Sequence, residues 1–252
     1  MLILFLSLLS FFNYQEIGGS ASASQISSVG NSSYLATAIN PAILSQLDKN
    51  NIGIVYACPY NISEIQYTRL AGNYKNFGIN ISRLGQTGFG EYVLSISSGF
   101  NLTPALSYGL IVKGLYLDLD EYGQTFLPAL NFGISYHLDK LELGAVVENI
   151  NHPQNSMIDN IPWSIIAGAL FTPVQDFSCG LEIQKTNLDQ NIALGAEFKP
   201  LPNLCFRLGA KTNPIIASTG LGFVYKNFSL DYSLKFHTRL KDTSIISLGY
   251  SW

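Results

Sequence analysis

Charged residues are scarce in this chain, at 12% of 252 residues, so those at regular positions are the first candidates for chemistry. Five of them alternate with apolar or small neighbours in the last third of the chain and carry opposite signs: Glu182, Glu197, Arg207, Asp231 and Lys235. One interpretation is a structural network, because buried charges must be paired to be tolerated. The other is a polar constriction that selects a passing solute. We favour the structural interpretation.

The remaining reactive side chains do not predict catalysis or metal binding. The three histidines and three cysteines are far apart in the sequence: His137, His152, His237, Cys58, Cys179 and Cys205. A metal centre needs convergent ligands with a second shell around them, and a hydrolase of the common type needs a G-x-S-x-G turn, which is missing. With a net charge of -3 there is no basic excess for nucleic acid. We therefore expect neither enzyme activity, nor a metal or cofactor, nor a nucleic-acid partner.

The elements that carry these charges are predicted by a period-two alternation that runs from residue 52 to the end. In segments such as Phe228–His237 and Ile192–Lys199, large apolar residues alternate with small or polar ones. This spacing places successive side chains on opposite faces of a β-strand. Short polar, Pro, Gly or Asn turns separate about fourteen such segments, an even number, as expected for a single-chain bacterial barrel.

The contrast between the two strand faces decides which all-β fold is expected. The polar face consists mostly of Ser, Gly, Ala and Thr, and is too small and too poor in charge for the surface of a soluble sandwich. Aromatic residues gather near the strand ends, as they do at a membrane interface. The pattern predicts a transmembrane antiparallel β-barrel over residues 52–252, with its bulky residues facing lipid and its small ones facing the lumen. The longest connections are expected at 118–125 and 149–161.

Both ends of the chain carry signals typical of an exported protein. Residues Leu2–Phe12 form an apolar core too short to span a membrane, and Ala21-Ser22-Ala23 offers a cleavage site. We predict a signal peptide over residues 1–23, with cleavage between residues 15 and 23. The final residues Leu248, Tyr250 and Trp252 alternate and end on an aromatic ring. This ending resembles the C-terminal signal that bacterial outer-membrane barrels present to the assembly machinery.

The segment over residues 24–51 separates the signal peptide from the first strand. Leu35, Ile39, Ile43 and Leu47 follow a helical spacing that Pro41 interrupts, which predicts one or two short helices. A barrel of this size has a lumen too wide for its own side chains to fill. We therefore expect this segment to lie inside the barrel as a short helical plug.

The plug residues Asn40-Pro41-Ala42 resemble the NPA signature of the FadL-like superfamily of outer-membrane proteins. This resemblance implies a 14-stranded barrel with an N-terminal plug. The superfamily contains transporters of long-chain fatty acids and hydrocarbons, and also the PorV and PorQ type components of the type IX secretion system. Ile43-Leu44 after the signature, and Glu148-Asn149-Ile150 with Pro153, are closer to the PorQ branch.

The resemblance implies a place and two functions for this chain. The implied location is the bacterial outer membrane, whose lipid would surround the barrel. The first function is passive transport of a hydrophobic small molecule. The second is that of a non-transporting component of a secretion or surface-attachment machine, whose partners would be secretion-system proteins. The predicted outer loops are too short to build a ligand-capture groove, which argues against a high-affinity fatty-acid site.

Overall fold

The computed structural model describes residues 11–12, 14–15, 18–30, 38–158 and 161–252, and within them the chain forms fourteen antiparallel strands. The hydrophobic core of the predicted signal peptide and Leu35 of the predicted plug helix lie outside the described residues, apart from Phe11 and Phe12. The strands are β1 Asn51–Cys58, β2 Gln66–Tyr74, β3 Phe77–Gln86, β4 Phe89–Asn101, β5 Leu106–Leu119, β6 Gly123–His137, β7 Leu141–Glu148, β8 Ser164–Val174, β9 Phe177–Thr186, β10 Gln190–Leu201, β11 Leu204–Lys211, β12 Ile216–Tyr225, β13 Phe228–His237 and β14 Thr243–Ser251.

The sheet closes on itself because the first strand pairs with the last. Each strand pairs with its neighbours in the sequence, and β1 pairs with β14 from Asn51↔Ser251 to Cys58↔Ser244. Closure removes the sheet edges and satisfies the backbone groups of the ladder without water. The predicted all-β, 14-stranded barrel with a short N-terminal helical plug is therefore confirmed.

The outer face of the barrel is a continuous apolar surface. Leu230, Tyr232, Leu248 and Trp252 point outward, and between 40% and 52% of each residue is exposed. Neighbouring strands expose Ile, Leu, Phe and Val in the same way. An apolar surface that extends around a whole molecule is strongly unfavourable in water but suits the hydrocarbon of a bilayer.

The two ends of the barrel differ in their connections. At the terminal end, where the chain enters β1 and leaves β14, the backbones of Asn50 and Trp252 exchange hydrogen bonds of 3.1 and 3.0 Å. At the opposite loop end lies the connection over residues 149–163. The connection expected at 118–125 is shorter than predicted, because β5 continues to Leu119 and β6 begins at Gly123, which has a positive φ of 92°.

Among the described residues, two short helical elements precede β1. Helix α1 spans Gly19–Ser24, and a 3₁₀ helix spans Pro41–Gln46. Both lie inside the barrel. Helix α1 therefore places in the lumen some residues of the range 1–23 that was predicted to be the signal peptide. The boundaries of the signal peptide, plug and barrel remain predictions. Among the described residues there is no helix with the length and apolar character required to cross a membrane.

Candidate functional site

The lumen is crossed by two stretches of chain, residues 18–30 and 38–47, which together we call the plug. Ala21, Ala23, Ala42 and Leu44 of the plug are almost fully buried. Helix α1 packs against β10 to β14, and the 3₁₀ helix packs against β4, β5 and β6. The plug therefore reaches opposite walls of the barrel.

Asn40 joins the two stretches of the plug to the barrel wall. Its Oδ1 accepts a hydrogen bond from the backbone N–H of Ala42 at 3.1 Å, which caps the 3₁₀ helix that Pro41 begins. Its Nδ2 donates to the backbone oxygens of Ser28 at 2.8 Å and of Ile134 on β6 at 3.1 Å. The Asn-Pro-Ala residues thus lie buried in the lumen, where the plug was predicted.

Glycines on the inner wall let the plug backbone approach the strands directly. A Cβ at Gly109 would lie 2.6 Å from the carbonyl carbon of Pro41, and one at Gly209 would lie 2.6 Å from the oxygen of Ala23. Other lumen-facing glycines meet the plug in the same way: Gly99, Gly133, Gly144, Gly168, Gly195 and Gly220. Much of the small inner face predicted from the sequence is therefore a contact surface for the plug.

Glu182 on β9 holds the plug through four hydrogen bonds. Its Oε2 accepts from the N–H of Ser27 at 2.9 Å, and from the N–H and Oγ of Ser28, both at 2.7 Å. Its Oε1 accepts from Oγ of Ser27 at 2.8 Å. Hydrogen bonds to an ionised carboxylate are about twice as strong as neutral ones. Glu182 thus contacts the plug rather than the other predicted network members.

Three of the five predicted network residues form a compact ion-pair cluster. Arg207 Nε lies 2.6 Å from Oε2 of Glu197, and Arg207 Nη1 lies 2.6 Å from Oδ1 of Asp231. Lys199 adds a pair with Glu197 at 2.8 Å. Gly222 provides space, since a Cβ there would lie 2.6 Å from Arg207 Nη1. Lys235, the fifth predicted residue, lines a cavity on the other side of the plug.

The plug divides the space in the lumen. On its terminal side, a cavity of about 280 Å³ lies against Glu197, Arg207 and Asp231. Next to it lies one of about 490 Å³ lined by residues that include His137. On the loop side, a cavity of about 360 Å³ is lined by residues that include Lys235. The plug therefore lies between the cavities of the terminal side and the cavity of the loop side.

A packed apolar cluster that was not predicted from the sequence lies on the loop side. It surrounds Phe12 with inward residues of three strands and residues of the β7–β8 connection: Phe89, Val93, Leu115, Leu117, Leu127, Ala129, Ile158 and Ile161. The available signal was the run Leu115-Tyr116-Leu117, which is apolar on both strand faces. We call this set of residues the apolar pocket.

One carboxylate belongs to the wall of this pocket. Glu91 lies on the same face of β4 as Phe89 and Val93, and it is buried. Its Oε2 accepts a hydrogen bond from the backbone N–H of Phe12 at 3.0 Å. The pocket therefore combines an apolar lining with one hydrogen-bond acceptor.

The wall beside the apolar pocket is closed by a connection rather than by a strand. Pairing of β6 with β7 covers only Phe132↔Val147 to His137↔Glu142. Further toward the loop end, Leu130 exchanges hydrogen bonds of 2.9 Å with the N–H of Ile150 and the side chain of Asn151. Pro128 has no N–H for a ladder, and its oxygen accepts from Asn151 at 2.8 Å. We call this part of the wall the β6 seam.

Two buried cations lie on the inner wall of β2 and β5. Lys113 pairs with Glu148 at 3.5 Å. Arg69 is 1% exposed and packs on the ring of Tyr67, with 5.6 Å from its Cζ to the ring centroid. Within the part of the chain that the structure describes, Arg69 Nε and Nη1 have no hydrogen-bond partner, and no three His, Cys, Asp or Glu residues converge to hold a metal.

The C-terminal residues lie on the lipid-facing side of β14. Leu248, Tyr250 and Trp252 alternate outward, and the rings of Tyr250 and Trp252 stack with centroids 6.0 Å apart. Tyr250 also contacts Phe228 on β13, with 4.9 Å between ring centroids. The three residues thus form an exposed apolar row at the terminal end of the barrel.

Together these features define the class of the protein: a transmembrane β-barrel of fourteen strands with an N-terminal plug inside its lumen. Among solved structures, it is similar to the monoaromatic hydrocarbon channel CymD (TM-score 0.67, 13% identity, 95% of this chain and 98% of that one). It is also similar to the toluene transporter TbuX of Ralstonia pickettii (TM-score 0.67, 11% identity, 96% of this chain and 100% of that one). A third similar structure is the toluene transporter TodX of Pseudomonas putida (TM-score 0.65, 13% identity, 96% of this chain and 98% of that one).

At these identities the likeness establishes the fold. No protein-family model and no curated protein matches the sequence. The chain thus has the plugged 14-stranded fold of FadL-like hydrocarbon channels, as the resemblance through Asn40-Pro41-Ala42 predicted.

Proposed function

We propose that this protein is a channel of the bacterial outer membrane that passes a hydrophobic small molecule without an energy source. The observation that carries the proposal is the apolar pocket beside the plug. Lumen walls of water-filled barrels are polar, whereas Leu115, Leu117 and Leu127 here turn apolar side chains inward. The structures that share the fold are described as channels and transporters of toluene and monoaromatic hydrocarbons, which supports the same class of solute.

The β6 seam provides a route that does not require the plug to leave. The apolar pocket contacts the seam through Ile158 of the β7–β8 connection and through Leu127 and Ala129 of β6. A small displacement of this connection breaks a few hydrogen bonds to β6, at Leu130, Pro128, Asn131 and Thr125, rather than a full strand ladder. An apolar solute then moves between the pocket and the surrounding hydrocarbon, where it is already soluble.

The outer-membrane location rests on the apolar exterior, the predicted signal peptide over residues 1–23 and the C-terminal row Leu248, Tyr250 and Trp252. The membrane lipid surrounds the exposed apolar side chains. The barrel-assembly machinery would recognise the last strand before the barrel closes.

Flux through reconstituted protein tests the function. Purified protein in vesicles with a lipopolysaccharide outer leaflet, whose polar surface slows apolar solutes, should speed entry of toluene and of a fluorescent fatty acid relative to protein-free vesicles, and should leave glucose entry unchanged. If no apolar solute enters faster than in the protein-free vesicles, transport is refuted.

A disulfide lock tests the seam. In a background where Cys58, Cys179 and Cys205 are replaced by Ser, the pair Thr125→Cys and Asn155→Cys joins two residues whose side chains are in hydrogen-bond contact. Oxidation should slow toluene entry, and reduction should restore it. The matched control is each single-cysteine variant, which oxidation should leave unchanged. Equal flux in the locked and reduced forms would exclude the seam as the route.

The alternative, a PorV/PorQ-like component of a secretion or surface-attachment machine, is favoured by one observation. The plug is hydrogen-bonded to Glu182 on one wall and, through Gln46, to Ser107 and Ser135 on another, as expected of a plug that stays in place. In this role the barrel anchors secretion-system proteins and transports nothing. Co-purification of a stoichiometric protein partner from the native membrane, together with the absence of flux, would support it.

A further inference from the structure

Phe12 shows which shape of ligand the apolar pocket accepts. Its benzyl side chain is 6% exposed and packs among the pocket residues of β4, β5 and β6. Its backbone N–H, next to the benzyl group, donates to Oε2 of Glu91 at 3.0 Å. The pocket therefore holds one aromatic ring and pairs with one hydrogen-bond donor close to that ring.

Phe12 belongs to the part of the chain that the signal-peptide prediction removes. It ends the apolar run Leu2–Phe12, and every cleavage position between residues 15 and 23 lies after it. Removal of Phe12 would leave Glu91 without the donor seen here. It would also join the emptied pocket to the loop-side cavity of about 360 Å³, which Phe12 lines.

An emptied pocket of this composition favours an organic ligand over water. The lining residues Phe89, Leu115, Leu117 and Leu127 supply no hydrogen-bonding side chains, and a buried water needs two to four polar partners. A ring placed against these residues displaces water from apolar walls, which is favourable even when the adjoining cavity is hydrated. Glu91, once desolvated, is stabilised by a ligand that donates a hydrogen bond to it.

We propose that the apolar pocket of the mature protein binds a single-ring aromatic molecule with a hydroxyl donor two carbons from the ring, such as 2-phenylethanol, in the place that Phe12 occupies. The N–H of Phe12 is likewise separated from its ring by two carbons, Cβ and Cα. This inference rests on the proposed transport function and specifies its substrate class. Glu91 distinguishes the alcohol from a plain hydrocarbon, because a carboxyl oxygen accepts a hydrogen bond in either protonation state. An ether of similar size has no donor and can only accept a hydrogen bond, from the protonated form of Glu91, so it gains less.

The first experiment measures the intact mass of protein purified from membranes after expression of the whole chain. We expect a mass that lacks at least residues 1–12. A mass that retains Phe12 would overturn the proposal, because the pocket would then be filled by the protein itself.

The second experiment compares 2-phenylethanol, its ether isomer benzyl methyl ether and toluene, by calorimetric titration of the mature protein in lipid nanodiscs. We expect 2-phenylethanol to bind about tenfold more tightly than benzyl methyl ether, the advantage of one hydrogen bond to a buried acceptor. In the Glu91→Leu variant this advantage should disappear while toluene binding persists. Glu142→Leu, which changes a lumen carboxylate at the terminal end, should keep it. Folding of each variant is checked by its heat-dependent gel migration.

The outcomes separate this inference from the transport function. Equal affinities for 2-phenylethanol and benzyl methyl ether, or an alcohol advantage that survives Glu91→Leu, would overturn the inference even if toluene crosses vesicle membranes. Absence of flux for every apolar solute, by contrast, would remove the transport function itself. A further variant, Leu117→Trp, fills the pocket and should abolish binding of all three ligands. If they still bind to this variant in its folded form, they occupy another site and the proposal is wrong.

Discussion

The backbone N–H of Ser28 in the plug donates a 2.7 Å hydrogen bond to the carboxylate of Glu182 on β9. The same carboxylate also accepts from the Ser28 hydroxyl and from both donors of Ser27. Because Glu182 is buried, these donors replace the water that an ionised carboxylate would otherwise need. One side chain of the wall therefore fixes the central part of the plug.

Replacing Glu182 by Gln should loosen the plug. In the Gln side chain only the amide oxygen can accept hydrogen bonds. The –NH₂ group would therefore face donors of Ser27 or Ser28. The loss of charge-assisted bonds should cost about 1.5–3 kcal/mol. Limited proteolysis in detergent should cut the plug faster, while Glu142→Gln, a lumen carboxylate remote from the plug serines, should behave as wild type. An unchanged cleavage rate in E182Q would show that Glu182 does not hold the plug.

Adding a methyl group at Gly133 should displace the plug from β6. The new Cβ would clash with the Asn40 amide and lie 2.8 Å from Cδ of Pro41. Overpacking of this kind costs about 1–3 kcal/mol. Thermal unfolding of Gly133→Ala in detergent should shift to lower temperature. Gly114→Ala is the control, since its Cβ faces outward against the movable ring of Phe126. Equal effects of the two substitutions would contradict the role given to the inner glycines.

Arg207→Met should destabilise the barrel more than removal of the whole cluster. Without the guanidinium, Glu197 and Asp231 remain as partly buried carboxylates with only Lys199 near Glu197. Breaking a buried pair by removing one partner costs about 3 kcal/mol or more. The triple variant Arg207→Met, Glu197→Gln, Asp231→Asn should regain most of the loss. The measurement is the temperature of unfolding by heat-dependent gel migration.

If the ion-pair cluster is instead a polar constriction that selects solutes, the same variants should change solute entry. If the cluster controls solute choice, the triple variant should unfold at the wild-type temperature but let glucose through liposomes. If it is structural, glucose should remain excluded in both variants.

The C-terminal row should matter for assembly more than for stability. Trp252→Ala and Tyr250→Ala remove exposed rings from the end of β14, where few contacts exist beyond Phe228. We expect less folded barrel in the outer-membrane fraction of cells, but similar unfolding temperature once protein is purified. Tyr56→Ala, an outward ring on β1, is the matched control. Equal yields for all three variants would mean that the last residues are not read by the assembly machinery.

The alternation of the sequence was sufficient to predict the faces of the strands. Leu230, Tyr232, Leu248 and Trp252 face outward as expected, because a period of two leaves only two choices and the apolar set must meet hydrocarbon. The helical spacing before the first strand, together with the resemblance through Asn40-Pro41-Ala42, was also enough to predict a plug. These are local properties of the chain, and local patterns encode them directly.

The position of each inward-facing residue along the barrel axis is determined only by the tertiary structure. Glu182 and Arg207 share the inward face, yet the first meets the plug and the second meets Glu197 and Asp231, while Lys235 lies beyond the plug. The apolar pocket likewise depends on strands β4, β5 and β6 bringing Val93, Leu115 and Leu127 to one level. Strand stagger, set by hydrogen-bond register around the closed sheet, determines which inward residues become neighbours. That register is a property of all fourteen strands together, so no single segment of the sequence contains it.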